Sequence, residues 1–90
     1  MTYSILARDP ATGELGVAVQ TRWPMVGAAV PWVEAGVGAV ATQAATNRAL
    51  GPLVLERLRQ GRSANEALAE ALATDPDAEV RQLAVVDAAG

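Results

Sequence analysis

Two alternating runs joined by a short stretch of turn residues limit the fold more than any other part of this sequence. In residues 2–8, Tyr3, Ile5 and Ala7 point one way and Ser4, Leu6 and Arg8 the other, the two-residue period of a half-buried strand. Asp9-Pro10-Ala11-Thr12-Gly13 supplies the turn, and residues 15–21 resume the period with Leu15, Val17, Val19 and Thr21 against Gly16, Ala18 and Gln20. An antiparallel hairpin is predicted. Gly16 and Ala18 leave its second face almost bare, which predicts another backbone layer lying close over that face.

Beyond the hairpin, Trp23-Pro24 breaks the alternation and residues 26–30 resume it. Pro31 interrupts again, and Ala35-Gly36 turns the chain into residues 37–43, so a second hairpin is predicted. Residues 47–51 read as a loop or a single helical turn. Pro52 suits the first position of a helix running to about Gln60, with Leu50, Val54 and Leu58 as its apolar stripe and Gly61 as its stop. Ser63-Ala64-Asn65-Glu66 is a capping box, in which hydroxyl and carboxylate satisfy free N–H groups of the first turn. The helix it opens buries Ala64, Ala67, Leu68, Ala71 and Leu72 and ends at Asp75-Pro76, because the residue before proline avoids the helical region. Asp75, Asp77 and Glu79 then read as a solvated loop. Residues 80–86 form a last strand, and Asp87-Ala88-Ala89-Gly90 reads as a turn into a strand lying beyond the sequence. Four strands, two helices and one strand make an α+β domain, and ninety residues hold one core.

His, Cys and Lys are all absent. That excludes a disulfide framework, a Cys/His zinc site, Ser-His-Asp or Cys-His catalysis and a Schiff-base lysine. Formal net charge is −3 and the seven arginines are scattered, so there is no basic stripe for phosphates and nucleic acid is not an expected partner. The ten carboxylates show no metal-ligand spacing, and no metal or organic cofactor is expected. The one membrane-like stretch, residues 24–41, carries Glu34 near its middle, at a cost of roughly 2.5–3.5 kcal/mol for insertion. The N-terminus lacks the basic and apolar regions of a signal peptide, so a cytoplasmic protein is expected.

With those mechanisms excluded, Thr2 is the first candidate nucleophile. A threonine exposed by loss of Met1 carries its own α-amine, whose ordinary pKa of about 7.7–8.0 suits a base; with Met1 attached that nitrogen is an amide and cannot act. Thr21 and Arg22 at the end of the second strand and Thr42 and Gln43 at the end of the fourth are candidates to place hydroxyl, guanidinium and amide groups around one cleft, with Arg22 suited to a carboxylate. Thr21, Arg22 and Gln43 are the candidate substrate-binding residues. Glu34 reads as an exposed turn charge, and Trp23 and Trp32 as core or subunit-contact residues. Gly36-Val37-Gly38-Ala39-Val40-Ala41 fits a G-x-G-x-x-A dinucleotide fingerprint, but its flanks read as a glycine-bearing hairpin rather than a strand opening into a helix.

The runs Met1 to Pro10, Thr12 to Gln20, Val30-Pro31-Trp32 and Ala35 to Gln43 together resemble the "domain of unknown function 1028" family of bacterial and archaeal proteins. Gly51-Pro52, Leu55 with Leu58, Gly61 with Ser63, Glu66-Ala67-Leu68, Asp75 and Val85-Val86-Asp87 extend the resemblance over nearly the whole chain. Trp23-Pro24-Met25 departs from it. The resemblance implies an N-terminal-nucleophile hydrolase-like αββα sandwich, of which this chain would be the first part, and an amidohydrolase acting through Thr2 on a small-molecule or peptide-like amide. Members about twice as long imply that a C-terminal half, or a second copy in a homo-oligomer, covers the open sheet edge. The alternative is a non-catalytic binding or assembly module with the same fold.

Overall fold

The computed structural model describes residues 2–22, 24, 26–28 and 30–90, so Met1, Trp23, Met25 and Ala29 lie outside the described residues. Strand β1 (Tyr3–Arg8) pairs antiparallel with β2 (Leu15–Gln20), Tyr3 opposite Gln20 and Arg8 opposite Leu15. In the turn, the Asp9 N–H donates to the Glu14 carbonyl at 2.8 Å and the Asp9 carboxylate accepts from the Ala11 N–H at 2.8 Å. The alternation predicted from sequence is therefore the alternation of the hairpin.

The third strand differs from expectation. Val26–Ala28 is a 3-10 turn, and β3 (Pro31–Glu34) begins at the proline expected to interrupt it. Proline lacks an N–H for the ladder, yet it is tolerated at the first residue of an edge strand, and β3 is an edge. Strand β4 (Gly38–Ala44) lies in the centre between β3 and β5 (Arg81–Asp87), antiparallel to both. The chain thus contains two sheets, the hairpin and a three-stranded sheet.

Helix α1 (Leu50–Arg59) starts two residues before Pro52. It ends in a Schellman arrangement, the Gly61 N–H donating to the Leu58 carbonyl at 3.0 Å and the Arg62 N–H to the Arg57 carbonyl at 3.1 Å. Gly61 takes φ +90°, a conformation a side chain would strain. Helix α2 (Ala64–Ala73) carries the expected capping box: the Ser63 hydroxyl accepts from the Glu66 N–H at 3.1 Å, and the Glu66 carboxylate accepts from the Ser63 N–H at 2.9 Å.

The layers follow from the side chains of β4. Val40 is buried with Leu50, Val54 and Leu55 of α1 and Ala67 and Ala71 of α2, flanked by Trp32, Leu83 and Val85. On the opposite face of β4, Ala39, Ala41 and Gln43 are buried, and the hairpin packs against the three-stranded sheet on this side. The order is helices, three-stranded sheet, hairpin. The hairpin turns its Ser4, Leu6, Arg8, Leu15, Val17 and Val19 face inward, while Tyr3 and Ile5 are 64% and 65% exposed on its outer face. The backbone layer expected over Gly16 and Ala18 is absent among the described residues: a Cβ at Gly16 would meet nothing within 4 Å.

Candidate functional site

The inward face of β1 includes Thr2, just before the strand, and that of β2 includes Thr21, just after it. Hairpin pairing brings the two side by side, and the Thr2 hydroxyl donates to the Thr21 hydroxyl at 3.1 Å. Tyr3, Gln20, Thr21 and Arg22 line a surface cleft of about 270 Å³ at this end, with Arg22 exposed on its rim. Three candidate residues thus come together at one end of the hairpin.

The opposite end of β1 fixes how this end lies over the second sheet. The Arg8 side chain reaches Gly90, its Cδ 3.6 Å from the point where a Cβ on that residue would stand. Gly90 follows β5, whose Asp87 pairs with Gly38 at the start of β4. Arg8 therefore lies at the Gly38 end of the central strand. Thr2 and Thr21 lie toward the other end, where β4 finishes with Thr42 and Gln43.

Gln43 points into the layer between the sheets. It is 6% exposed, and its Oε1 is buried with no hydrogen-bond partner among the described residues. Thr42 points to the other face, where it accepts from the Trp32 indole N–H at 3.4 Å and donates to the Val30 carbonyl at 3.5 Å. Alternation along β4 thus separates the two adjacent candidates: Gln43 faces the layer between the sheets and Thr42 the helical layer. Trp32 packs against the core, while Trp23 lies outside the described residues.

Just past Gln43, Ala44 has φ +68°, the left-handed region that non-glycine residues seldom occupy. The next residues are anchored. The Ala45 carbonyl accepts from Arg81 Nη1 at 2.7 Å, and the Ala45 N–H donates to the Val80 carbonyl at 3.3 Å. Arg81 Nε donates to Asp75 Oδ2 at 2.7 Å, and that carboxylate also accepts from the Asn47 amide at 3.1 Å and the Asp77 N–H at 2.9 Å. These bonds, led by the Arg81 contact, hold the Asp75 carboxyl far below the usual carboxylate range. The Asp75 side chain is 1% exposed, which corrects the expected solvated loop: only Asp77 and Glu79 are exposed. The sequence signal was an Asp-Pro helix stop followed six residues later by the arginine opening a strand, too generic to single out a pair.

The remaining candidates lie elsewhere. Glu34 ends β3 and forms a 2.8 Å ion pair with Arg59, which also contacts Glu56. Gly36 sits in the β3–β4 turn and Gly38 opens β4, so the glycine run is a hairpin and not the start of a helix. Among the described residues no group of three ligating side chains gathers to hold a metal, and no helix is long and apolar enough to cross a membrane.

A family model for DUF1028, described as a family of unknown function, matches residues 2–90. The fold also matches the crystal structure of a protein from Silicibacter pomeroyi assigned to the same family, with a TM-score of 0.94 and 38% identity over 99% of this chain. The match covers 40% of that protein, so this chain spans less than half the relative's length. No curated protein matches the chain.

Proposed function

We propose that this chain, which belongs to the DUF1028 family, carries the nucleophile-bearing part of an amidohydrolase of the N-terminal-nucleophile type. The observation that carries the reading is the Thr2 hydroxyl, next after Met1 and hydrogen-bonded to the Thr21 hydroxyl on the inward face of the hairpin. Hairpin on sheet on helices corresponds to three layers of an αββα sandwich, the fourth lying over Tyr3 and Ile5.

Once Met1 is removed, the Thr2 α-amine takes the hydroxyl proton as Oγ1 attacks the amide carbon. The resulting oxyanion needs N–H donors, for which the Gln43 amide and the backbone at the strand ends are the candidates. The ammonium then returns its proton to the leaving amine, giving an ester on Thr2. Water, with the amine again as base, hydrolyses that ester to a carboxylic acid and free Thr2. Arg22 at the cleft rim suits a substrate carboxylate.

The test is a panel of small amides and acyl-peptides with protein lacking Met1. Hydrolysis by the parent protein and by Thr2→Ser, lost in Thr2→Ala, supports the reading; equal turnover by Thr2→Ala refutes it. A second reading, a non-catalytic assembly module, draws on the exposure of Tyr3 and Ile5. In that reading the outer face is covered by a second copy or by further polypeptide, and Thr2→Ala leaves function unchanged.

A further inference from the structure

We infer that Gln43 positions the α-amine of Thr2, its carbonyl oxygen accepting a hydrogen bond from that amine; the inference rests on the Thr2 reading above. Four observations lead to it. Gln43 is 94% buried on the side of β4 that faces the hairpin, and its Oε1 is a buried acceptor with no donor among the described residues. A buried carbonyl without a donor is rare in a folded protein and marks a place where a partner is to come. Ala39 and Ala41, the other residues on this face of β4, are 0% and 1% exposed, and their methyl groups let the hairpin backbone approach closely. The Arg8 end of β1 lies beside Gly90, near the Gly38 end of β4, which sets the Thr2 end toward the Gln43 end. Finally, the chain just after Gln43 is tied down through Ala45, Arg81 and Asp75, so the carboxamide is carried on an anchored backbone.

The chemistry of Met1 removal explains why the acceptor has no donor among the described residues beforehand. A Thr2 nitrogen in a peptide bond has one N–H, directed by the chain. The freed ammonium has three, on a nitrogen that can reorient. Accepting from it favours the protonated form and so raises its pKa, keeping the amine from losing its proton to solvent far below neutrality. In the proposed reaction the same contact directs the remaining lone pair of the neutral amine toward its own hydroxyl. Through its carbonyl oxygen Gln43 thus acts on the base, leaving its NH2 group as the candidate oxyanion donor.

The test is a pH titration of the Thr2 methyl NMR signal in protein whose Met1 loss is confirmed by intact mass, comparing wild type, Gln43→Glu and Gln43→Met. The inference predicts the highest amine pKa in Gln43→Glu and the lowest in Gln43→Met, about one pH unit or more apart, with wild type between them. Three coincident titrations, or Gln43→Met titrating above wild type, overturn it. A merely structural Gln43 would alter melting temperature without this order. Should Gln43→Met fail to fold, Gln43→Asn shortens the reach and takes its place at the low end. Amide hydrolysis measured alongside keeps the two claims separate. The predicted order without turnover supports the Gln43 contact and refutes the reaction, whereas turnover without the order overturns the contact and leaves the reaction standing.

Discussion

A methyl group added at Gly51 should cost more than its helix propensity returns. Gly51 lies in the first turn of α1 and is buried against Trp32; a Cβ there would stand 2.5 Å from both Cγ and Nε1 of the indole. Ordinary carbon contacts are about 3.5–4.0 Å, so the ring would have to move by about 1 Å or more. That shift would strain the Trp32 N–H contact with the Thr42 hydroxyl and the packing of the ring against the buried core. Overpacking of this kind typically costs about 1–3 kcal/mol, while replacing glycine by alanine in a helix returns up to about 1 kcal/mol, less near the end. The net expectation for Gly51→Ala is a loss of about 1–2 kcal/mol, or roughly 4–15 °C in melting temperature for a domain of this size. Thermal denaturation followed by circular dichroism measures it, and Trp32→Leu in the same chain should recover part of the loss. A Gly51→Ala protein as stable as the parent would refute the close approach of Trp32 to α1.

Ser63→Ala removes the acceptor for the Glu66 N–H and should lower stability by about 1 kcal/mol in urea denaturation; no change would mean that the capping box contributes nothing. Because Ala44 occupies the left-handed region, Ala44→Gly should be tolerated while the β-branched Ala44→Val loses about 1–2 kcal/mol in the same assay, and the reverse order would contradict the strand-end conformation. Asp75 is held below the usual carboxylate range, so its ion pair contributes fully above the ordinary value of about 4 and is lost as the pH falls toward the lower folded value. Melting temperatures of the parent and Asp75→Asn should therefore differ most near neutrality and converge in acid; a difference independent of pH would contradict the pairing with Arg81.

The elements that could be read from the sequence are those whose signal is local. The β1–β2 hairpin, the Ser63 capping box and the Gly61 stop depend on residues within a few positions of one another, and each is where the pattern puts it. Pro31 misled because a proline's meaning in a sheet depends on whether its strand is an edge, which is a property of pairing and not of the segment. The Asp75–Arg81–Ala45 tie joins the end of α2, the start of β5 and the exit of β4, a convergence with no local trace. At the candidate site, the period-two pattern marked a face for each strand, but the hairpin register was needed to put Thr2 beside Thr21. That Gln43 faces the hairpin while Thr42 faces the helices required knowing which side of β4 the helices cover. The bare face of Gly16 and Ala18 was legible as small, yet among the described residues nothing packs over Gly16.

If Thr2 becomes a nucleophile when Met1 leaves, an intact-mass spectrum taken before and after brief exposure to an activated acyl donor will register it. The expected product is a chain lacking Met1 that gains one acyl group, mapped by fragmentation to Thr2 and absent from Thr2→Ala. A chain that keeps Met1 in the cell, or one that loses it and gains no acyl group at Thr2, would contradict the account.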